Sequence, residues 1–131
     1  MNYKTPYSIL SAESHKRPIH LNEISTDNLR RNLDFFGLAY KEVEGHFNGY
    51  KEVSFIITGT NGIEFARQAM KVYGQLCILI SDCTGRCELE FRDGTFQALG
   101  RMIEITKEEA LNKQNYTYDK TTNKYWITNN D

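Results

Sequence analysis

Proline is scarce in this 131-residue chain: there are two, Pro6 ahead of the first apolar run and Pro18 inside the first loop. No Pro-rich linker, internal repeat or low-complexity tract interrupts the sequence, so the expectation is a single α+β domain over 1–131, a length that can bury one core. Charge of one sign is equally lacking. Sixteen Lys and Arg against 17 Asp and Glu leave a net charge of -1, which gives no overall field toward nucleic acid or an anionic membrane. No apolar run approaches the roughly 20 residues of a membrane span. The opening MNYKTPYS lacks the apolar centre of a signal peptide. These absences point to a soluble, cytoplasmic protein with no membrane partner and no strong nucleic-acid signal.

The three cysteines, Cys77, Cys83 and Cys87, cannot all pair within the chain and do not show C-x2-C spacing. A disulfide framework and a structural zinc site are therefore not expected. His15, His20 and His46 are scattered and form no H-x3-H pair. The G-x-S-x-G elbow, the P-loop signature and the G-x-G-x-x-G fingerprint are all missing, although TGTNG (58–62) is Gly-rich ahead of a helix. No cofactor, metal ligand or catalytic residue is assigned on this basis. Glu42 and Glu44 share one face of an alternating strand, which reads as a solvated sheet face rather than an acid–base pair.

What is present is a clear succession of elements. YSILSA (7–12) reads as a buried strand, and from Asn22 the pattern becomes helical, with Leu29, Leu33 and Phe36 on one face, Ser25, Thr26 and Asp27 as candidate caps, and Gly37 as the stop. AYKEVEGHF and VSFIITG form a hairpin around NGYKE. TNGIEFARQAMKVYG is a helix with a capping-box-like start at Asn61 and Glu64 and a stop at Gly74. Residues 75–82, 86–92 and 95–105 follow as a meander turned by TG and DG. Thr106 and Glu109 cap a short helix, and 115–128 is an aromatic terminal hairpin.

The order β-α-β-β-α-β is that of a split βαβ arrangement. The expected fold is a mainly antiparallel sheet with two helices on one face, extended by the meander and the C-terminal hairpin. Its expected core sets Ile9, Leu10, Phe55, Ile57, Ile78 and Ile80 against Leu29, Leu33, Phe36, Ala66 and Met70.

Ser11-Ala12 at the end of the first strand, Asn22 opening the helix, Gly37 and Gly45 around an alternating strand, Glu52 and Ser54 before an apolar strand, and Tyr73-x-Gln75 form a series. That series resembles a small uncharacterised domain family of bacteria and tailed phages, over about residues 7–81. Ser25 and Thr26 replace the family's usual Arg-Asn, and the terminal hairpin has no clear counterpart. The resemblance implies no known reaction. It suggests a phage accessory protein acting in host cytoplasm against host defence.

The strongest site candidate is the first loop. Ser11 and Glu13 leave the strand, Lys16 and Arg17 cross the turn, and Asn22, Ser25 and Thr26 fall where unpaired helix amides favour an anion. Through the resemblance, Glu52, Ser54 and Gln75 join this ligand-binding set. The leading reading is a non-enzymatic protein that binds and sequesters a small anionic ligand, a nucleotide immune signal among the candidates. The alternatives are a protein-interaction module inhibiting a host macromolecule, and a small hydrolase or transferase. The terminal hairpin, with Tyr116, Tyr118, Tyr125 and Trp126, is the candidate surface for a homo-oligomer.

Overall fold

A computed structural model describes residues 4–129. Residues 1–3 and 130–131, which belong to the expected domain and, at the front, to the stretch read for a signal peptide, lie outside the described residues. The elements are β1 (Tyr7–Ser11), α1 (Ile19–Phe35), β2 (Tyr40–Phe47), β3 (Tyr50–Thr58), α2 (Thr60–Val72), β4 (Cys77–Ser81), β5 (Arg86–Phe91), β6 (Phe96–Ile105), α3 (Lys107–Leu111), β7 (Tyr116–Asp119) and β8 (Lys124–Asn129).

Local chemistry explains most boundaries. Asn48 and Gly49 both take positive φ between β2 and β3, the geometry of a tight hairpin. Gly74 ends α2 at φ +67, and the Gln75 amide bonds back to the Met70 carbonyl at 2.9 Å, which satisfies a terminal carbonyl. The capping box expected at Thr106 and Glu109 is present on α3 in both directions.

Two expected helix starts need correction. α1 begins three residues before Asn22, behind Pro18, whose carbonyl accepts the Leu21 and Asn22 amides. Asn22, Ser25 and Thr26 therefore lie inside the helix and do not cap it. α2 begins behind Gly59, which has φ 88 and no side-chain cap, so Asn61 sits within the first turn. In both cases the preceding backbone turns the chain into the helix sooner than the polar side chains suggested.

All paired strands are antiparallel, and they close into a barrel in the order β1-β3-β2-β7-β8-β6-β5-β4. The mixed helix-and-strand class stands, but the open sheet with appended meander and hairpin does not. The terminal hairpin is an integral wall: β7 pairs with β2 at Glu44–Tyr118 and β8 pairs with β6 over Arg101–Ile105. A right-handed twist accumulated over many strands curls a sheet until its edges meet, and closure removes both exposed edges.

The barrel wall separates two cores. On the outside, Leu29 and Leu33 of α1 and Ile63, Ala66, Ala69 and Met70 of α2 pack on Leu10, Phe55, Ile57, Ile78 and Ile80. Inside, Tyr7, Ile9, Val43, Ile56 and Trp126 form the second cluster, with Leu79 and Met102 against it. Side-chain alternation along β1 sends Leu10 to the helices and Ile9 to the lumen, so Ile9 does not belong to the helix-facing core. Phe36 is also misplaced in the expected core: it is 62% exposed beyond the end of α1. Among the described residues no helix is long and apolar enough to cross a membrane.

Candidate active site in the barrel lumen

The lumen is not filled at one end. A cavity of about 410 Å³ lies there, bordered by residues of all eight strands, from Ile9 and Ser11 on β1 to Trp126 and Thr128 on β8. That volume falls in the range of small-molecule sites, roughly 300–1,000 Å³. Its walls are largely apolar, through Leu79, Leu89, Met102 and Trp126, and polar residues also line it, among them Ser11, Glu52, Ser54, Gln75 and Cys77.

Glu52 is the chemically distinctive group. It precedes Ser54 by two residues, so both side chains take the lumen side of β3. No hydrogen-bond or ion-pair partner meets its carboxyl group among the described residues. Burial, and secondarily the negative charge of Glu13, push its pKa up to about 7. Burial and the charge of Glu52 likewise push the Cys77 thiol upward. An unpaired carboxyl in a mostly apolar cavity, poised to change charge near neutrality, is suited to meeting a cation or moving a proton.

Glu13 stands behind the wall and holds it. One carboxylate oxygen accepts the Val53 amide at 3.2 Å and the other accepts the Thr26 hydroxyl at 2.8 Å. The Ser11 hydroxyl donates to the Val53 carbonyl at 2.8 Å and accepts the Glu13 amide at 3.0 Å. Gln75 donates its side-chain amide to the Glu13 carbonyl at 2.8 Å. β1 ends at Ser11, opposite Ser54, and beyond that point side chains take over the backbone ladder of β3.

Of the ten residues expected in a ligand site, Ser11, Glu52, Ser54 and Gln75 border the cavity, and Glu13 and Thr26 brace it. Asn22 clamps the loop by accepting the Ser14 amide at 3.0 Å and donating to the Ser14 carbonyl at 2.8 Å. Arg17 donates to the Ala12 carbonyl at 2.8 Å and to the Ser25 hydroxyl at 3.3 Å. Lys16, Arg17 and Ser25 are not among the cavity-bordering residues. Because Asn22, Ser25 and Thr26 lie within α1, the expected anion pocket at a helix N-terminus does not form there. Cys77, Phe47, Leu89, Met102 and Trp126 were missed. Their one signal was the period-two pattern of their strands, which marks a face without saying that the face is a lumen. Among the described residues no group of three or more His, Cys, Asp or Glu side chains could hold a metal ion.

The fold is a closed antiparallel barrel, flanked by helices, with a cavity of small-molecule size in its lumen. The chain belongs to the S-adenosylmethionine lyase family, whose model matches residues 8–129. No curated protein matches the chain. The match takes in the terminal hairpin, well beyond the 7–81 resemblance seen in the sequence. A family defined by a lyase activity overturns the reading of a non-enzymatic sequestering protein, and with it the assignment to counter-defence by ligand capture.

Proposed function

We propose that this protein cleaves S-adenosylmethionine at a carbon–sulfur bond of its sulfonium centre, with the lumen cavity as the active site. Family membership supports the substrate class, and the Glu52 carboxyl, without a hydrogen-bond or ion-pair partner among the described residues in a cavity that also contains Trp126, is the observation that supports the placement. A sulfonium leaves as a neutral thioether and needs no acid to protonate it. A lyase uses no water, so the electrons that expel the thioether come from within the substrate, either from its own carboxylate or from a C–H bond.

The protein's task is then to hold the cation, orient the attacking group and keep water out. Ionised Glu52 supplies an opposite charge, or a base if a proton is removed, and Phe47 and Trp126 supply aromatic surface that attracts a cation. The Glu52 carboxyl in the cavity, with the Glu13 carboxylate behind the wall, favours a cationic ligand over the small anion expected from Lys16 and Arg17. Ser11, Ser54 and Gln75, with Gln97, Asn115 and Thr128, are among the polar groups that face the substrate's amino-acid and ribose portions in this reading.

The test is incubation of purified protein with S-adenosylmethionine, followed by chromatography for the adenosyl thioether and the amino-acid-derived fragment. Turnover in wild type that is lost in Glu52→Gln supports the reading; substrate recovered intact overturns it. Self-association belongs to the same proposal. Tyr118 and Tyr125 stack at 4.5 Å on the hairpin, and Tyr50, Leu76 and Phe96 are exposed. Sedimentation of the full chain as a monomer throughout the micromolar range would reject self-association.

A further inference from the structure

We propose that Glu13 is the positioning residue of the lumen site: it acts on substrate only through Glu52, by fixing the β3 backbone beside it and by setting a second carboxylate across the β1–β3 seam. The inference rests on the proposed lyase reading for its substrate. Its physical content is a coupling between two carboxyl groups.

The geometry comes first. Val53 lies between Glu52 and Ser54, and both of its backbone groups are held from the β1 side, the amide by the Glu13 carboxylate at 3.2 Å and the carbonyl by the Ser11 hydroxyl at 2.8 Å. The second Glu13 oxygen is tied to α1 through Thr26, and the Glu13 carbonyl is tied to the approach to β4 through Gln75. One residue thus links β1, α1, β3 and the β4 approach at the height of Glu52. A cavity-lining side chain whose backbone is held in this way has little freedom to drift.

Charge is the second half. Glu13 is the charged group that burdens Glu52. The Cys77 thiol on β4 also feels Glu52. The cavity residues supplied by β1, β5, β6 and β8 carry no ionisable side chain, and Tyr116 of β7 has its ring stacked on His46. Among the described residues no Lys or Arg borders the cavity. A sulfonium entering between these groups lowers the cost of ionising Glu52, so binding should release a proton. The neutral thioether product brings no charge, so Glu52 takes the proton back and one source of attraction is lost. Charge thereby adds to the loss of the amino-acid fragment in telling substrate from product.

The experiment combines three readouts. Carbon-13 titration of the Glu52 carboxyl in ligand-free wild type and Glu13→Gln tests the coupling without turnover. Glutamine keeps an acceptor for Val53 and can donate to the Thr26 oxygen, so the fold is retained. The coupling predicts a lower Glu52 midpoint in Glu13→Gln, and an unmoved midpoint overturns the proposal. Calorimetry in buffers of different ionisation enthalpy should show proton release with a cationic amine analogue of S-adenosylmethionine and none with S-adenosylhomocysteine; equal release overturns the charge discrimination. The pH profile of kcat/KM should move to lower pH in Glu13→Gln, in step with the carboxyl midpoint. Glu13→Ala, which also loses the Val53 bond, should lower kcat/KM about tenfold or more, and an unchanged value in the folded variant removes the positioning role. If wild type does not turn over S-adenosylmethionine, the lyase reading fails, and the carboxyl titration still decides the Glu13–Glu52 coupling.

Discussion

Gly45 of β2 lies opposite Glu52 across the β2–β3 ladder, and a Cβ on it would stand 2.8 Å from the Ser54 hydroxyl and 3.2 Å from the Phe47 ring. The absent side chain leaves room at the mouth of the cavity. Ser54 is 2% exposed and has little freedom to move aside. Gly45→Val should therefore raise KM for S-adenosylmethionine and cost stability of about 1–3 kcal/mol, the usual penalty for overpacking. Melting curves and initial rates check this. An unchanged KM in a folded variant would mean that substrate does not pass Gly45.

Glu52 gives a pH dependence with a definite sign. Its folded pKa of about 7 lies above the ordinary 4.5, so the folded state binds the extra proton between those values. The contribution to stability is fully present below pH 4.5 and is lost as pH rises through 7. Glu52→Gln, which mimics the protonated form, should match wild type near pH 4.5 and exceed it above pH 7, by roughly 1–2 kcal/mol once partial exposure is discounted. Denaturant melts of both proteins across this range measure the difference.

In activity the same group acts in the opposite direction. If ionised Glu52 holds the sulfonium, kcat/KM of wild type rises with pH through about 7, and Glu52→Gln loses on the order of 10²–10⁴-fold in rate together with that limb of the profile. A Glu52→Gln variant that retains both the rate and the limb removes Glu52 from the mechanism.

Gly62 sets the approach of α2 to the barrel wall. A Cβ there would lie 2.7 Å from the Ile57 Cγ2 atom and 3.2 Å from the Ile57 carbonyl, and backbone cannot yield as a flexible side chain can. Gly62→Ala should destabilise the fold by about 1–3 kcal/mol despite alanine's better helix propensity. The remaining folded protein should keep its KM, because Gly62 packs outside the lumen. Thermal melts paired with kinetics separate the two effects.

Arg17 and Lys16 should differ. Arg17 ties the first loop to the Ala12 carbonyl and to Ser25, whereas the Lys16 side chain is exposed. Arg17→Ala should cost about 0.5–1.5 kcal/mol, and Lys16→Ala should leave the melting temperature unchanged. Equal effects would deny the loop clamp.

Local structure was largely legible in the sequence because its causes are local. Asn48-Gly49 allows the hairpin turn, Gly74 the end of α2, and Thr106 with Glu109 the start of α3, each through a few neighbouring residues. The alternation of β1 and β3 likewise marked two faces. It could not say which face meets helices and which meets a lumen, so Ile9 was placed with Leu10. That choice depends on pairings remote in sequence, β2 with β7 and β6 with β8, which arise when a twisted sheet closes. Glu52 shows the limit most clearly. As a residue type it was already a candidate, but its raised pKa comes from burial inside that closed wall and from Glu13 across the β1–β3 seam. Residue order alone set the strands, turns and available carboxyls. Only the closed barrel decided that one of those carboxyls sits desolvated in a cavity, because desolvation is a property of all the strands around it.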